Sequence, residues 1–407
     1  MAKRGKFDVG GVLLDQPFKI RRLGHFGLNV SDPAACLGFY CDGLGFRISD
    51  PLDIAEGHPK RDELKALGDT RMYFLRHGTD HHSIVLANGA TYNAAGRGGG
   101  VPADVTVNQM TWQVASLAEV SGAIDWFNAK GVRISRAGRD MPGSNWHCYP
   151  YDPEGHRNEL YYGIEQIGWT GLSKPHAMHE RGYRERPPLP QIPEYQEVEE
   201  ARSKGVDFNS GFRDPEKLPA RYDVDGIMLP RPFKIVRHGP IRLFCHDVPK
   251  MEAFYRDIMG FARTQAIAWQ GHRCVFLRCN TEHHSLALYP IALRKKLGLS
   301  AHTTVMSFGV QVATYRQLRA AIDFLKGRGG RFIEIPSVLS PGIDYSAHVL
   351  DPSGHAIQLY YYMEQVGWNG RPRAKRTPAP ARVSAWPKAV EPKSDTYTGE
   401  PFLGPWG

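Results

Sequence analysis

The feature that most limits what this chain can fold into is a long internal duplication. FDVGGVLLDQPFKI at 7–20 returns as YDVDGIMLPRPFKI at 222–235. DHHSIVLA at 80–87 returns as EHHSLALY at 282–289. DPEGHRNELYYGIEQIGWTG, from Asp152, returns as DPSGHAIQLYYYMEQVGWNG, from Asp351. The period is too long for a solenoid repeat and specifies two homologous domains, for which 407 residues supply two full cores. The domains are expected at 1–171 and 221–370, with a Pro- and charge-rich linker at 172–220 and an extended arm at 371–407. Pro187, Pro188 and Pro190 favour extended backbone in the linker.

Each domain also repeats within itself. Apolar alternation marks a strand at 24–30, and Ser31, Asp32 and Pro33 then supply a cap and a first-turn proline for a helix ending near Gly43. Strands follow, clearest at 72–75 and 83–86. The order restarts with a strand at 109–114. A helix at 117–130 sets Val120, Ile124 and Phe127 on one face and stops at Gly131. Strands at 146–151 and 158–162 close the unit. The second half places its helices at 248–258 and 314–326. The fold class is therefore α+β, with four strand–helix–three-strand (βαβββ) modules, two to a domain.

Composition narrows the function. Apolar content is 42% and charged content 23%, ordinary for a globular protein. No apolar run approaches the roughly 18–20 residues of a membrane helix, so no membrane partner is expected. MAKRGKFDVGG at the start lacks the apolar stretch of a secretory signal. The six cysteines form no CxxC pair, which fits reduced thiols and a cytoplasmic location. The net charge of +9 is scattered without a recognition helix or a basic–aromatic ladder, so no nucleic-acid partner is expected. Part of it lies at Arg371, Arg373, Lys375 and Arg376, read as a solvated arm.

GHFGLNVSDP opening a module and DPEGHRNELYY closing one resemble the vicinal oxygen chelate superfamily, which includes glyoxalase I, bleomycin-resistance proteins and type I extradiol dioxygenases. The resemblance covers roughly 20–168 and 235–368 and is closest to the extradiol enzymes. YFLRHGTDHHSIVLA, from Tyr73, resembles the strand that carries that family's acid–base histidine. Tyr149 stands four residues before Pro153 and Glu159 six after it, the spacing of the family's tyrosine and carboxylate ligand. The resemblance implies that each pair of modules curls into an open barrel-like sheet with metal ligands facing inward. His25, Gln109 and Glu159 occupy the ligand positions, with Gln109 where extradiol enzymes place a second histidine. Iron(II) is the implied metal, with Mn(II), Zn(II) or Ni(II) as alternatives. His147 or His82 could also complete the set.

The implied reaction is cleavage of a catechol-like diol with O2, in a homo-oligomer. His82 would move a proton, and Tyr149 and His147, two apart on one strand, would hydrogen-bond the substrate. Because successive strand residues alternate faces, only one of His81 and His82 should enter the cavity. A non-oxidative isomerase or lyase, or a protein that binds a small aromatic ligand, remain alternatives of the same fold. Opposite His25, Gln109 and Glu159 the second domain has Pro240, Ser307 and Gln358, a set unsuited to metal. Features present in both copies are read as structural: His156 and His355 as turn residues, Trp169 and Trp368 as packing anchors.

Overall fold

The computed structural model describes residues 6–139, 143, 145–179, 186, 189–190, 193–367, 369–372 and 379–391. The first domain opens with a hairpin, β1 (Phe7–Val9) and β2 (Val12–Leu14). Its first module holds β3 (Arg22–Val30), β4 (Arg47–Asp53), β5 (Arg71–Arg76) and β6 (Ile84–Asn88). Its second holds β7 (Val107–Gln113), β8 (Ile134–Arg139), β9 (Trp146–Pro150) and β10 (Asn158–Tyr162). The eight strands form one curled sheet in the order β4-β5-β6-β3-β7-β10-β9-β8. The second domain repeats the plan. A hairpin, β11 (Tyr222–Val224) and β12 (Ile227–Leu229), precedes β13 (Ile235–Cys245), β14 (Ala262–Trp269), β15 (His272–Arg278) and β16 (Leu286–Pro290). Then come β17 (Val305–Val312), β18 (Arg331–Ile333), β19 (Ser346–Leu350) and β20 (Ala356–Tyr360), in the matching order β14-β15-β16-β13-β17-β20-β19-β18.

In each sheet the two modules meet along one antiparallel seam, β3 with β7 and β13 with β17. β3 is buried along almost its whole length, as a central strand covered on both faces must be. The Asp32 carboxylate accepts from the Ala35 amide and Pro33 sits in the first turn. That helix runs as an α-turn over Pro33–Leu37 and then widens into a π-helical stretch, Gly38–Gly43. The helix at Leu117–Ala129 starts at Ser116, whose hydroxyl accepts from the Glu119 amide. Glu119 in turn accepts from the Lys19 amide at 2.7 Å and so ties β3's approach to this helix.

The two domains pack through a pseudo-symmetric set of polar contacts. Tyr40 donates to Asp351 of the other domain at 3.1 Å, and Tyr255 donates to Asp152 at 3.0 Å. His156 bonds Asp152 in its own turn and Thr304 across the interface, each at 2.9 Å. His355 does the same with Asp351 and Thr106. The turn histidines are thus structural, and they also join the domains. Phe26 and Phe308 stack at 4.7 Å in the seam between the sheets.

Three expectations change. Trp169 is fully exposed, not a packing anchor, because the chain leaves the sheet after β10; Trp368 lies outside the described residues. The 172–220 stretch contains a helix, Glu194–Ser203, whose Glu197 pairs with Arg139 of β8. Pro187 and Pro188 lie outside the described residues, as do Arg373, Lys375 and Arg376. The arm is not solvated throughout: Trp386 is buried against Tyr315 and Tyr345 and donates to the Pro380 carbonyl at 2.7 Å. Among the described residues no helix is long and apolar enough to cross a membrane.

Tyr40→Phe and Tyr255→Phe should each cost about 1–3 kcal/mol, because each strips a donor from a buried carboxylate. Urea unfolding of the single variants checks this, and unchanged midpoints would contradict the interface assignment.

Candidate metal centre

The strand order of the first sheet places three side chains in a row. His25 on β3 lies opposite Thr111 on β7, and Thr111 lies opposite Glu159 on β10. His25 Nε2 is 3.1 Å from Glu159 Oε2, and the Thr111 hydroxyl donates to the same oxygen at 2.9 Å. The other oxygen accepts from Asn145 Nδ2 at 2.8 Å and has His147 Nδ1 at 3.6 Å. Burial alone would raise the Glu159 carboxyl. The field and hydrogen bond of His25, the field of His147 and the Thr111 hydroxyl outweigh it and hold Glu159 at about 2. Glu159 is therefore an anion with no exposure to solvent. Tyr161 closes one side, its ring 5.4 Å from that of His25. Gly24 makes this approach possible, since a Cβ there would fall 2.2 Å from the Tyr161 ring.

The histidine doublet reaches the site from a different element than the sequence suggests. His81 and His82 precede β6 in a turn and are not part of the strand. Their rings are perpendicular and their Nδ1 atoms 2.9 Å apart. One ring does face the centre and one does not, through the turn rather than through strand alternation. His82 lies beside His25 with centroids 4.0 Å apart and rings tilted by 56°, whereas His81 Nε2 points away to Asp50 at 2.7 Å. Asp50 accepts the His81 Nε2 proton. For a neutral His81, Nδ1 then accepts from His82 Nδ1–H, which leaves His82 Nε2 as an open acceptor. Burial first, then the neighbouring His25 and His81, push His82 well below its usual range, so it is neutral at ordinary pH.

His147 and Tyr149 share a face of β9 with rings 4.7 Å apart, and Arg136 lies over the Tyr149 ring at 4.5 Å. Gln109 is buried on β7, two residues from Thr111. The hydrogen bond from β7 to Glu159 comes from Thr111. Thr111, Asn145 and Asp50 are site residues that the sequence reading missed. Two of them carried a signal: Thr111 stands opposite Gly309 in the other copy, and Asp50 opposite Gln265.

An ion with ligand bonds of about 2.1 Å at right angles sets adjacent donors about 3 Å apart. His25 Nε2 and Glu159 Oε2 meet that spacing and carry the right charge. His25 Nδ1 is buried without a hydrogen-bond partner. Among the described residues no three His, Cys, Asp or Glu side chains converge as a metal-holding group. The residues fit an ion anchored by His25 and Glu159, with any third protein donor on β7 a neutral oxygen.

The depressed Glu159 carboxyl stabilises the fold above its unfolded value near 4.5, and that contribution is lost as pH falls toward 2. Glu159→Gln should flatten this dependence, removing on the order of 2–3 kcal/mol of it. Urea midpoints across pH 2–7 check this, and parallel curves for the two proteins would contradict it.

Comparison with known proteins agrees with this architecture. The family model described as Glyoxalase/Bleomycin resistance protein/Dioxygenase superfamily matches residues 22–160 and 237–359. A 2,2',3-trihydroxybiphenyl dioxygenase of Sphingomonas paucimobilis is 26% identical over 129 residues, 32% of this chain and 42% of that protein. A biphenyl-2,3-diol 1,2-dioxygenase of Paraburkholderia xenovorans (strain LB400) is 30% identical over 141 residues, 35% of this chain and 40% of that protein. The chain thus matches about two fifths of the length of these relatives. The Mn(II)-bound glyoxalase from Novosphingobium aromaticivorans superposes with a TM-score of 0.55 at 15% identity, covering 96% of this chain and 95% of that one. Homoprotocatechuate 2,3-dioxygenase from Arthrobacter globiformis gives 0.52 at 18% identity, covering 90% and 86%. At such identities the structural matches show the fold. With both domains matched and each sheet built from two paired modules, the chain belongs to the Glyoxalase/Bleomycin resistance protein/Dioxygenase superfamily.

Proposed function

We propose that the chain is a metal-dependent extradiol-type dioxygenase that opens a catechol-like aromatic diol with O2. One observation carries this reading: the first domain alone pairs a buried, ionised carboxylate with an imidazole beside an acid-anchored histidine doublet. In the second domain, Gln358 and Gln265 replace both carboxylates. The curated relatives, matched over part of their length, are named as dioxygenases of a trihydroxybiphenyl and of biphenyl-2,3-diol.

His25 and Glu159 would hold the metal, with Gln109 as the third, neutral donor. Iron(II) is the metal this reading favours. When bound, it would supply the Lewis-acid and template chemistry that gathers a diol and O2. His82 Nε2, an open acceptor on a neutral ring, would take a proton from the substrate hydroxyl and return it later in the reaction. Asp50 and His81 would hold His82 in that tautomer. Tyr149 would donate to a substrate oxygen, with His147 beside it on the same face. The surrounding apolar residues Phe74 and Tyr161 would keep water from the reacting groups.

A second reading, a non-oxidative glyoxalase-like isomerase or lyase, is favoured by Gln109, since no second imidazole takes that position. Metal analysis with oxygen uptake separates the two. Stoichiometric iron with uptake on catechols supports the dioxygenase; zinc or nickel without uptake supports the second reading.

His25→Ala and Glu159→Ala should abolish metal binding, and Gln358→Ala should not. Full metal occupancy in the His25→Ala/Glu159→Ala double variant would contradict the site. His82→Asn should keep the metal and lower kcat by about 10²–10⁴, the usual range for losing a general base. An unchanged kcat would remove His82 from the mechanism.

A further inference from the structure

The second domain holds a buried cation that no acidic side chain among the described residues balances. Where β3 has Gly27, β13 has Arg242, each one register position past the paired Phe26–Met110 or Ile241–Phe308. Arg242 has no exposure to solvent. Its Nη1 donates to the Ser340 hydroxyl at 2.9 Å, while Nε and Nη2 have no partner. Those two N–H groups form the parallel edge that takes a carboxylate in bidentate fashion. Among the described residues no acidic side chain acts on this guanidinium; its neighbours are Tyr289 and Tyr360, whose hydroxyls donate elsewhere, to the Leu339 and Gly239 carbonyls. An unpaired buried charge is among the most costly features a fold can carry.

The groups around it lack partners too. Gln358, also bonded to Ser340, has a free Oε1, and His284 and His348 each have a free Nε2. Burial first holds both imidazoles below their usual range, followed at His348 by the Arg242 charge and at His284 by His283 and then Arg242. The doublet logic repeats here. His283 Nε2 donates to Gln265 at 3.2 Å, so its Nδ1 accepts from His284 at 3.0 Å and His284 Nε2 is an acceptor. A guanidinium fork thus stands with two unpartnered acceptors near it, Gln358 Oε1 and His284 Nε2, which call for a hydroxyl. Phe276, 5.2 Å from the His284 ring, and Phe244 supply an apolar wall.

We propose that the second domain is a binding site for a small aromatic hydroxy-carboxylic acid, its carboxylate on the Nε/Nη2 edge of Arg242 and its hydroxyl toward Gln358 and His284. A phosphate dianion is disfavoured because it sets two negative charges on one guanidinium beside acceptor lone pairs and has no apolar ring for Phe276 and Phe244. The inference concerns a different domain from the candidate metal centre and stands whichever reaction that centre performs.

Calorimetric titration of the full chain with 3-hydroxybenzoate, benzoate and inorganic phosphate tests this. The expected order is 3-hydroxybenzoate tighter than benzoate, with phosphate not binding. Arg242→Met should weaken 3-hydroxybenzoate at least tenfold and leave metal content unchanged. Gln358→Glu keeps the guanidinium and sets an internal carboxylate against it; it should raise Tm and abolish binding, which keeps the test open should Arg242→Met fold poorly. Equal binding by Arg242→Met and the parent, no binding of either benzoate by the parent, preferred binding of phosphate, or retained binding with unchanged Tm in Gln358→Glu would each overturn the proposal.

Discussion

A carboxylate withdrawn from water must be surrounded by donors or neutralised, and the first domain is arranged around that requirement at Glu159. Its partners come from three strands or their approaches: His25 from β3, Thr111 from β7, and His147 and Asn145 from β9 and the residue before it. None of the four lies near Glu159 in sequence except Asn145 and His147. The β3–β7 seam and the parallel β7–β10 pair bring the others into line. The site therefore exists only when the two modules pair, and small residues such as Gly24 are fixed by the side chains that must close over it.

The second domain shows what the same frame becomes when that requirement is removed. Pro240, Gly309, Gln358 and Gln265 stand where His25, Thr111, Glu159 and Asp50 stand in the first. Each change subtracts a donor or an anion. Arg242 then adds a cation at the place of a glycine. On the two proposals above, a divalent ion on Glu159 and the lone Arg242 guanidinium would each leave a single positive charge for an anionic ligand.

Much of this was legible in the sequence because the duplication served as an internal control. It separated the turn residues His156 and His355, which join the domains, from His25 and Glu159, which occur once. The order of strands and helices followed from alternation and caps. What escaped was set by register and by turns. Gln109 and Thr111 share a face of β7, and only the pairing of β7 with β3 and β10 places Thr111 in line with Glu159. The His81–His82 pair reads as strand but sits in a turn, so Asp50, distant in sequence, could not be named as its anchor. Trp169 recurs in both copies yet packs on nothing, a reminder that repetition marks constraint without saying which kind. Arg242 stands as a charge inside the apolar run IRLF, and only the fold shows that it is withdrawn from solvent.

The most direct test is a crystal structure of the protein grown with Mn(II) and read by anomalous scattering. The account predicts one ion per chain, in the first domain and bonded to His25 Nε2 and a Glu159 oxygen. An ion in the second domain beside Gln358, or an ion in the first domain that touches neither His25 nor Glu159, would contradict it.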